Sequence, residues 1–113
     1  MFKQGDILII PIPFSNLTSS KKRPVLVLSN SKYNNRMNDI LVAAITSNIT
    51  EKEYSILITN ESLEIGTLKV DSCIRADKIY TLSKDIIIKT FGRIKKNIVD
   101  DVKVKINLLM EEK

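Results

Sequence analysis

Histidine is absent from the chain of 113 residues. Its absence removes the Ser-His and Cys-His nucleophile systems, the usual zinc ligands and the commonest general base. Any catalysis must therefore use Arg, Lys, Asp, Glu, Tyr, Thr or Ser. A single cysteine, Cys73, excludes an internal disulfide and a cysteine-cluster zinc site. It reads as a small buried apolar side chain. A carboxylate-held magnesium stays chemically open, although no tight carboxylate cluster stands out. No apolar run approaches the roughly 18 residues of a membrane span. The first apolar run is broken by Pro11 and Pro13, so no signal-peptide pattern is present. The expectation is a soluble, cytoplasmic protein without a membrane partner. Internal repeats, low-complexity tracts and Gly/Ser-rich linkers are also missing.

The rest of the composition is ordinary for a globular chain, with 43% hydrophobic and 27% charged residues. Its length suits one domain, residues 1–113, around one core. The net charge of +5 is unevenly placed. Residues 1–50 hold six cations (Lys3, Lys21, Lys22, Arg23, Lys32, Arg36) against Asp6 and Asp39, and so carry +4. Basic loops attract polyanions, of which nucleic acid is the usual one. A mildly basic solvated surface accounts for the same distribution.

Asp6 to Ile12 is β-branched and apolar on both faces, the pattern of a strand covered on both sides. Pro11 and Pro13 fall on the same edge of it, so the ladder on that edge should stop near Ile10. Phe14 to Lys22 is a polar loop. Pro24 sits at the start of a short strand, Val25 to Leu28. A second polar loop follows, with one helical turn around Lys32 to Met37. Ile40 to Ile45 is another strand, leaving on Thr46-Ser47-Asn48. Tyr54 to Thr59 places Tyr54, Ile56 and Ile58 on one face, and Asn60 to Gly66 reads as a connection. Thr67 to Arg75 alternates: Leu68, Val70, Ser72 and Ile74 on one side, Lys69, Asp71, Cys73 and Arg75 on the other. Ile79 to Leu82 and Ile86 to Phe91 are two further strands, with a turn at Ser83-Lys84-Asp85 and a bulge or bend at Gly92. Ile98, Val102, Ile106 and Leu109 then recur at helical spacing, widened by Val99 and Met110. Asn97 followed by Asp100 suggests an N-cap, with Lys95 as the other starting point. Six or seven short strands closed by one helix make a small, strongly bent β-barrel.

Lys21-Lys22-Arg23-Pro24 fixes three cations at the mouth of a strand. The planar fork of Arg23 matches phosphate oxygens and stays charged. That high pKa also makes it a poor base. Asp71 is a candidate proton acceptor, with Lys69 and Arg75 as strand neighbours to keep it ionised. Thr46 or Ser47 suits a hydrogen bond to a phosphate oxygen or a ribose. Each also has a plainer reading: Arg23 as an edge cation, Thr46 as a turn residue, Asp71 as part of a charge-compensated strand face.

Gly5-Asp6-Ile7-Leu8-Ile9-Ile10, Pro13-Phe14 and Lys22-Arg23-Pro24-Val25-Leu26-Val27-Leu28-Ser29 closely resemble the opening of the MazF/PemK family of toxin-antitoxin endoribonucleases. The resemblance continues at Ala44-Ile45-Thr46-Ser47, at Gly66-Thr67-Leu68-Lys69-Val70-Asp71 and at Ala76-Asp77-Lys78-Ile79-Tyr80-Thr81-Leu82. It covers nearly the whole chain, including the closing helix. It implies a mainly β fold, a small SH3-like barrel of six to seven strands with a C-terminal α-helix, working as a homodimer. It implies cleavage of single-stranded RNA without metal or other cofactor, through 2′-hydroxyl attack, leaving a 2′,3′-cyclic phosphate and a 5′-hydroxyl. A cognate antitoxin is the implied inhibitor. Carried over by motif, Arg23, Thr46 and Asp71 are the implied catalytic residues. Lys21, Lys22, Ser47, Lys69 and Arg75 are the implied RNA contacts, and Phe14, with Tyr33, is the candidate for base stacking.

The chain departs from the family in places. Many members carry Gly-x-Glu, and some a His, in the loop before Arg-Pro; here the loop is Leu17-Thr18-Ser19-Ser20-Lys21-Lys22. Lys69 stands where some members place Arg, keeping charge but losing the fork. The same barrel also serves a gyrase-inhibiting toxin, so a protein-binding toxin, or one that binds RNA without cutting it, is the alternative on fold alone.

Overall fold

The computed structural model describes residues 1–12, 21–50 and 53–112. Seven antiparallel strands form one sheet: β1 (Asp6–Ile12), β2 (Lys21–Val27), β3 (Asp39–Thr46), β4 (Ser55–Ile58), β5 (Leu63–Ile65), β6 (Ser72–Ser83) and β7 (Lys89–Ile94). Two α-helices accompany them among the described residues, α1 (Ser31–Arg36) and α2 (Lys96–Met110), with short 3-10 turns at Asn60–Ser62 and Lys84–Ile86. The spatial order is β4-β6-β3-β2-β1-β7-β5. Ile58 on one edge strand and Leu63 on the other belong to the same core cluster. The sheet therefore curls until its edges approach a common interior, giving the expected mainly β, half-open barrel.

Alternation along the strands divides the apolar residues between two faces. Ile7, Leu26 and Ala43 lie opposite one another across β1, β2 and β3. They pack in the concave face with Ile45, Ile74 and Ile94, and with Val99 and Val102 of α2. Leu8, Val25, Val27 and Val42 point the other way, into a second cluster covered by Phe2 and Ile87. This explains why Asp6 to Ile12 is apolar on both sides.

Proline shapes the ladder on one edge. Pairing of β1 with β7 ends at Ile9–Lys89, one residue before the expected stop. Pairing with β2 continues to Ile12–Lys21 on the other edge. Pro24 is not at a strand start: β2 begins three residues earlier, at Lys21. Pro24 fits there because pairing with β3 begins only at Val25–Ala44, leaving it a partner on the β1 side alone.

The alternating stretch Thr67 to Arg75 is not one strand. Residues 67–71 run as a loop, and β6 starts at Ser72 and absorbs the strand expected at Ile79 to Leu82. The loop is held by Asn60 Oδ1, which accepts from the Leu68 N–H at 2.8 Å, and by Ser72 Oγ, which donates to Val70 O at 3.1 Å. Val70, on the more apolar side of that alternation, is 59% exposed. β5 and β7 lie where a connection and an earlier strand were expected. Helix α2 starts at Lys96 with Lys95 as its cap, not at Asn97. The Lys95 N–H donates to Ser62 O at 2.9 Å, which ties the helix start to the turn that leads into β5. Of the expected apolar stripe, Val99 and Val102 are buried, but Leu109 and Met110 are exposed.

Candidate functional site

The site is organised by the alternation of β2. Lys21, Arg23 and Val25 share one side of that strand, and Lys22 and Pro24 the other. Val25 is anchored in the core, so Arg23 is displayed two residues beyond a fixed point. Arg23 is exposed and sits opposite Ile10. β3 runs alongside: Ala44 lies opposite Val25, and Thr46 is two residues further on the same face. Arg23 and Thr46 consequently line one open cleft of about 810 Å³, together with Lys21, Asp77, Lys78 and Tyr80. Pro24, Ala44, Ile45 and Ile79 make its apolar surface.

A second, narrower cleft of about 280 Å³ lies on the concave side. Arg23, Ser47, Lys69 and Ser72 supply its polar groups over Ile7, Ile45, Ile58 and Phe91. Arg23 and Pro24 belong to both clefts, so the guanidinium stands at the junction between them.

Thr46 is oriented by its own chain. Its Oγ1 accepts the Asn48 N–H at 3.1 Å. The hydroxyl proton is thereby left to donate into the cleft. A cationic fork, a hydroxyl donor and Lys21 around one opening suit an anion with several acceptor oxygens.

Arg75 and Asp77 form a side-on, two-bond ion pair. Nε donates to Oδ1 and Nη2 to Oδ2, both at 2.9 Å. That hydrogen-bonded guanidinium holds the Asp77 carboxyl below the usual carboxylate range, against a smaller opposing effect of desolvation, with Lys78 adding a little. Arg75 is raised in turn, chiefly by the same hydrogen bonds. Burial pushes the Tyr80 phenol above its ordinary value, so it stays protonated.

The other expected residues are dispersed. Asp71 is exposed, lines neither cleft, and makes no side-chain hydrogen bond or ion pair among the described residues. The strand that would have set it between Lys69 and Arg75 is a loop, and Arg75 pairs with Asp77 instead. Lys22 is exposed on the opposite side of β2 from Arg23 and lines neither cleft, as does Tyr33 on α1. Phe14 lies outside the described residues. Cys73 is a buried free thiol. Among the described residues no group of three or more His, Cys, Asp or Glu is placed to hold a metal ion, and no helix is long and apolar enough to cross a membrane.

Sequence reasoning missed Asp77, Lys78 and Tyr80. Asp77 and Lys78 fall between two expected strands and Tyr80 within the second, yet all three belong to one strand, and β6 bulges there. Arg75 pairs with Ala44 and Ile79 with Ala43, so Ala76, Asp77 and Lys78 have no opposite residue on β3. A bulge re-aims side chains and often borders a functional site. Nothing in the local alternation announces it.

Known proteins agree with this architecture. A search among curated proteins returns no match. Among solved structures, a MazE–MazF complex from Deinococcus radiodurans superposes with a TM-score of 0.79 at 17% identity, over 96% of this chain and 95% of that one. An endoribonuclease in complex with its cognate antitoxin, from a mycobacterial species, gives 0.75 at 14% identity over the whole of both chains. The Mycobacterium tuberculosis toxin MazF-mt6 gives 0.74 at 18% identity over 91% of this chain and 93% of that one. These similarities establish the fold. The sequence profile described as the PemK-like, MazF-like toxin of type II toxin-antitoxin systems matches residues 3–110, and the chain belongs to that family.

Proposed function

We propose that the protein is the toxin of a type II toxin-antitoxin system and cuts single-stranded RNA. The observation that carries this reading is the convergence of Arg23 from β2 and Thr46 from β3 on one cleft, with Lys21 beside them, in a chain of this family. In this reading the RNA phosphate sits against Arg23. The 2′-hydroxyl attacks the adjacent phosphorus. Arg23 and the Thr46 hydroxyl take up charge that grows on the phosphoryl oxygens. The 5′-oxygen departs as a hydroxyl and leaves a 2′,3′-cyclic phosphate. Lys21 and Lys22 draw the polyanion in, and Ser47 and Lys69 hold the strand where it passes into the second cleft. One of the similar solved structures is an endoribonuclease in complex with its cognate antitoxin, by its description, and another is of MazE with MazF. A cognate antitoxin that covers the same cationic clefts is the corresponding partner here. The active form is a homodimer acting in the cytoplasm.

The deciding experiment incubates the purified protein with mixed-sequence RNA, with and without EDTA, and maps the ends. The expected products are cyclic phosphate and 5′-hydroxyl ends in both conditions. Arg23→Ala is expected to abolish cutting while the protein stays folded, and a single 2′-deoxy substitution at the cut site to block it. Full activity of folded Arg23→Ala, or efficient cutting of the 2′-deoxy substrate, overturns the reading. Intact RNA alongside inhibited DNA supercoiling replaces it with the protein-binding alternative.

A further inference from the structure

Phe91 owes its place to a break in the β1–β7 ladder. Ile7 lies opposite Gly92 and Leu8 opposite Thr90, so Phe91 is the extra residue of a β-bulge. A bulge re-aims a side chain. Gly92, opposite Ile7, has no side chain to set beside it. The Phe91 ring packs half-buried against the concave core and lines the narrower cleft. Aromatic residues are scarce in this chain, with three Phe, three Tyr and no Trp. Phe2 is taken up in covering the outer cluster. Phe91 is the one aromatic among the described residues that line the narrower cleft.

The cleft around the ring suits one kind of ligand. Its volume of about 280 Å³ is at the small end for a ligand cleft. Ile45, Ile58 and Leu68 make its walls apolar, and no carboxylate lines it among the described residues. Ser72 supplies an acceptor. Its buried hydroxyl donates to Val70 O at 3.1 Å, so the oxygen is left to accept. A flat, largely apolar ring with N–H groups at its edge meets these surroundings: its face lies on Phe91 and its edge meets Ser72. Nucleobases are such rings, and aromatic side chains stack them once they leave their neighbours.

Arg23 supplies the route, because it lines both clefts. A phosphate held against it is bonded to two nucleosides, one on each side. The base of one of them is thereby brought to the mouth of the narrower cleft. Lys69 is an exposed residue of the same cleft and is left to the sugar-phosphate backbone.

We propose that Phe91 is the platform on which the base of one nucleotide flanking the cut is stacked, drawn out of the strand into the narrower cleft. This rests on the ribonuclease reading above. Phe91 binds substrate and touches no reacting atom. Anchoring the base limits rotation of its ribose, and so helps to align the 2′-hydroxyl, the phosphorus and the departing 5′-oxygen. The aromatic of the wider cleft, Tyr80, lies opposite Val42, which packs in the outer cluster, so it belongs to the other face of the sheet and serves as the control.

The test couples protein and RNA substitutions at the mapped cut site. Wild type, Phe91→Leu, Tyr80→Leu and Arg23→Ala are compared on an intact oligonucleotide and on two others. In these the nucleotide on one side of the cut, or on the other, is ribo-abasic, which removes the base and keeps the 2′-hydroxyl. Phe91→Leu keeps an apolar side chain and removes the ring face. It is expected to lower kcat/KM on the intact substrate by about 5-fold or more. On one of the two abasic substrates it should lower kcat/KM by less than about 2-fold, because the stacking is already gone. Tyr80→Leu should show no such coupling. Equal losses for Phe91→Leu on all three substrates mean that the ring serves packing alone and overturn the proposal. Coupling found for Tyr80→Leu and not for Phe91→Leu places the base in the wider cleft and also overturns it. Either result, beside an inactive Arg23→Ala, leaves the ribonuclease reading standing. If Phe91→Leu fails to fold, ring-labelled wild type decides by NMR. The Phe91 ring signals should move upfield with an uncuttable 2′-O-methyl oligonucleotide and stay in place with its abasic counterpart. Ring signals that respond alike to both overturn the proposal. Wild-type protein that leaves RNA intact overturns both readings.

Discussion

Arg93 Nε donates to Asp6 Oδ1 at 2.8 Å and so joins β7 to the first residue of β1. Asp6 is only 2% exposed, and its other oxygen accepts the Lys3 N–H at 3.0 Å. Arg93 also lies 3.9 Å from Glu64, at the outer side. The carboxylate is thus buried with its partners supplied, and removing one leaves an uncompensated charge. Arg93→Ala is expected to lower stability by about 2 kcal/mol, read as a lower urea midpoint at unchanged slope. Adding Asp6→Asn should restore part of the loss, because the buried charge disappears and the Lys3 hydrogen bond survives. A double variant as unstable as the sum of the two singles would refute the buried-charge explanation.

How far the sequence reveals all this differs from element to element. Alternation and apolar runs locate β1, β3, β4 and α2, because each buries side chains at a period that the core enforces. The prolines mark the edge of β1 that β7 leaves early. The same alternation misleads at residues 67–71, where Leu68 and Val70 keep the period of a strand without a neighbouring strand to pair with. Arg23 and Thr46 are individually visible as an Arg before Pro and a Thr at a strand exit. Their meeting is legible only through the family resemblance, since it depends on the pairing of β2 with β3. Asp77 is invisible as a cleft residue because a bulge is a property of two strands, and one strand's sequence does not record it.

The Thr46 hydroxyl is held by the Asn48 N–H and is left with a proton to donate. Thr46→Val keeps shape and removes the donor; Thr46→Ser keeps the donor. Loss of one donor to developing charge costs roughly 10²-fold in kcat. The expected result is that loss for Val, with Ser retaining most activity. Equal rates for Val and wild type would remove Thr46 from the reaction.

Gly92 lets β5 approach β7. A Cβ at Gly92 would lie 2.4 Å from Ile65 O, a backbone atom that cannot simply swing aside. Gly66, at φ +95°, turns the chain just after that contact. Gly92→Ala must push β5 away and weaken the Leu63–Ile94 and Ile65–Arg93 pairing. The expected cost is about 2–3 kcal/mol, in the range of forced overpacking. Hydrogen exchange should show the loss first at residues 63–65, and unchanged protection there would contradict the close approach.

Salt dependence separates cations that hold phosphates from those that only contribute to net charge. Each phosphate neutralised on a single strand adds about 0.7 to the slope of log affinity against log salt. Lys21 lines the cleft of Arg23 and Thr46, and Lys69 lines the second. Lys96 is on α2, paired with Asp100 at 3.4 Å. All three substitutions to Gln remove one charge, so a general field effect would weaken binding alike. Contact predicts otherwise: Lys21→Gln and Lys69→Gln each flatten the slope by about 0.7, while Lys96→Gln leaves it unchanged. Binding is best measured by fluorescence anisotropy on a 2′-O-methyl oligonucleotide, which cannot be cut. If Lys69→Gln leaves the slope intact while Lys21→Gln flattens it, the strand stays within the first cleft, and the path through the second is wrong.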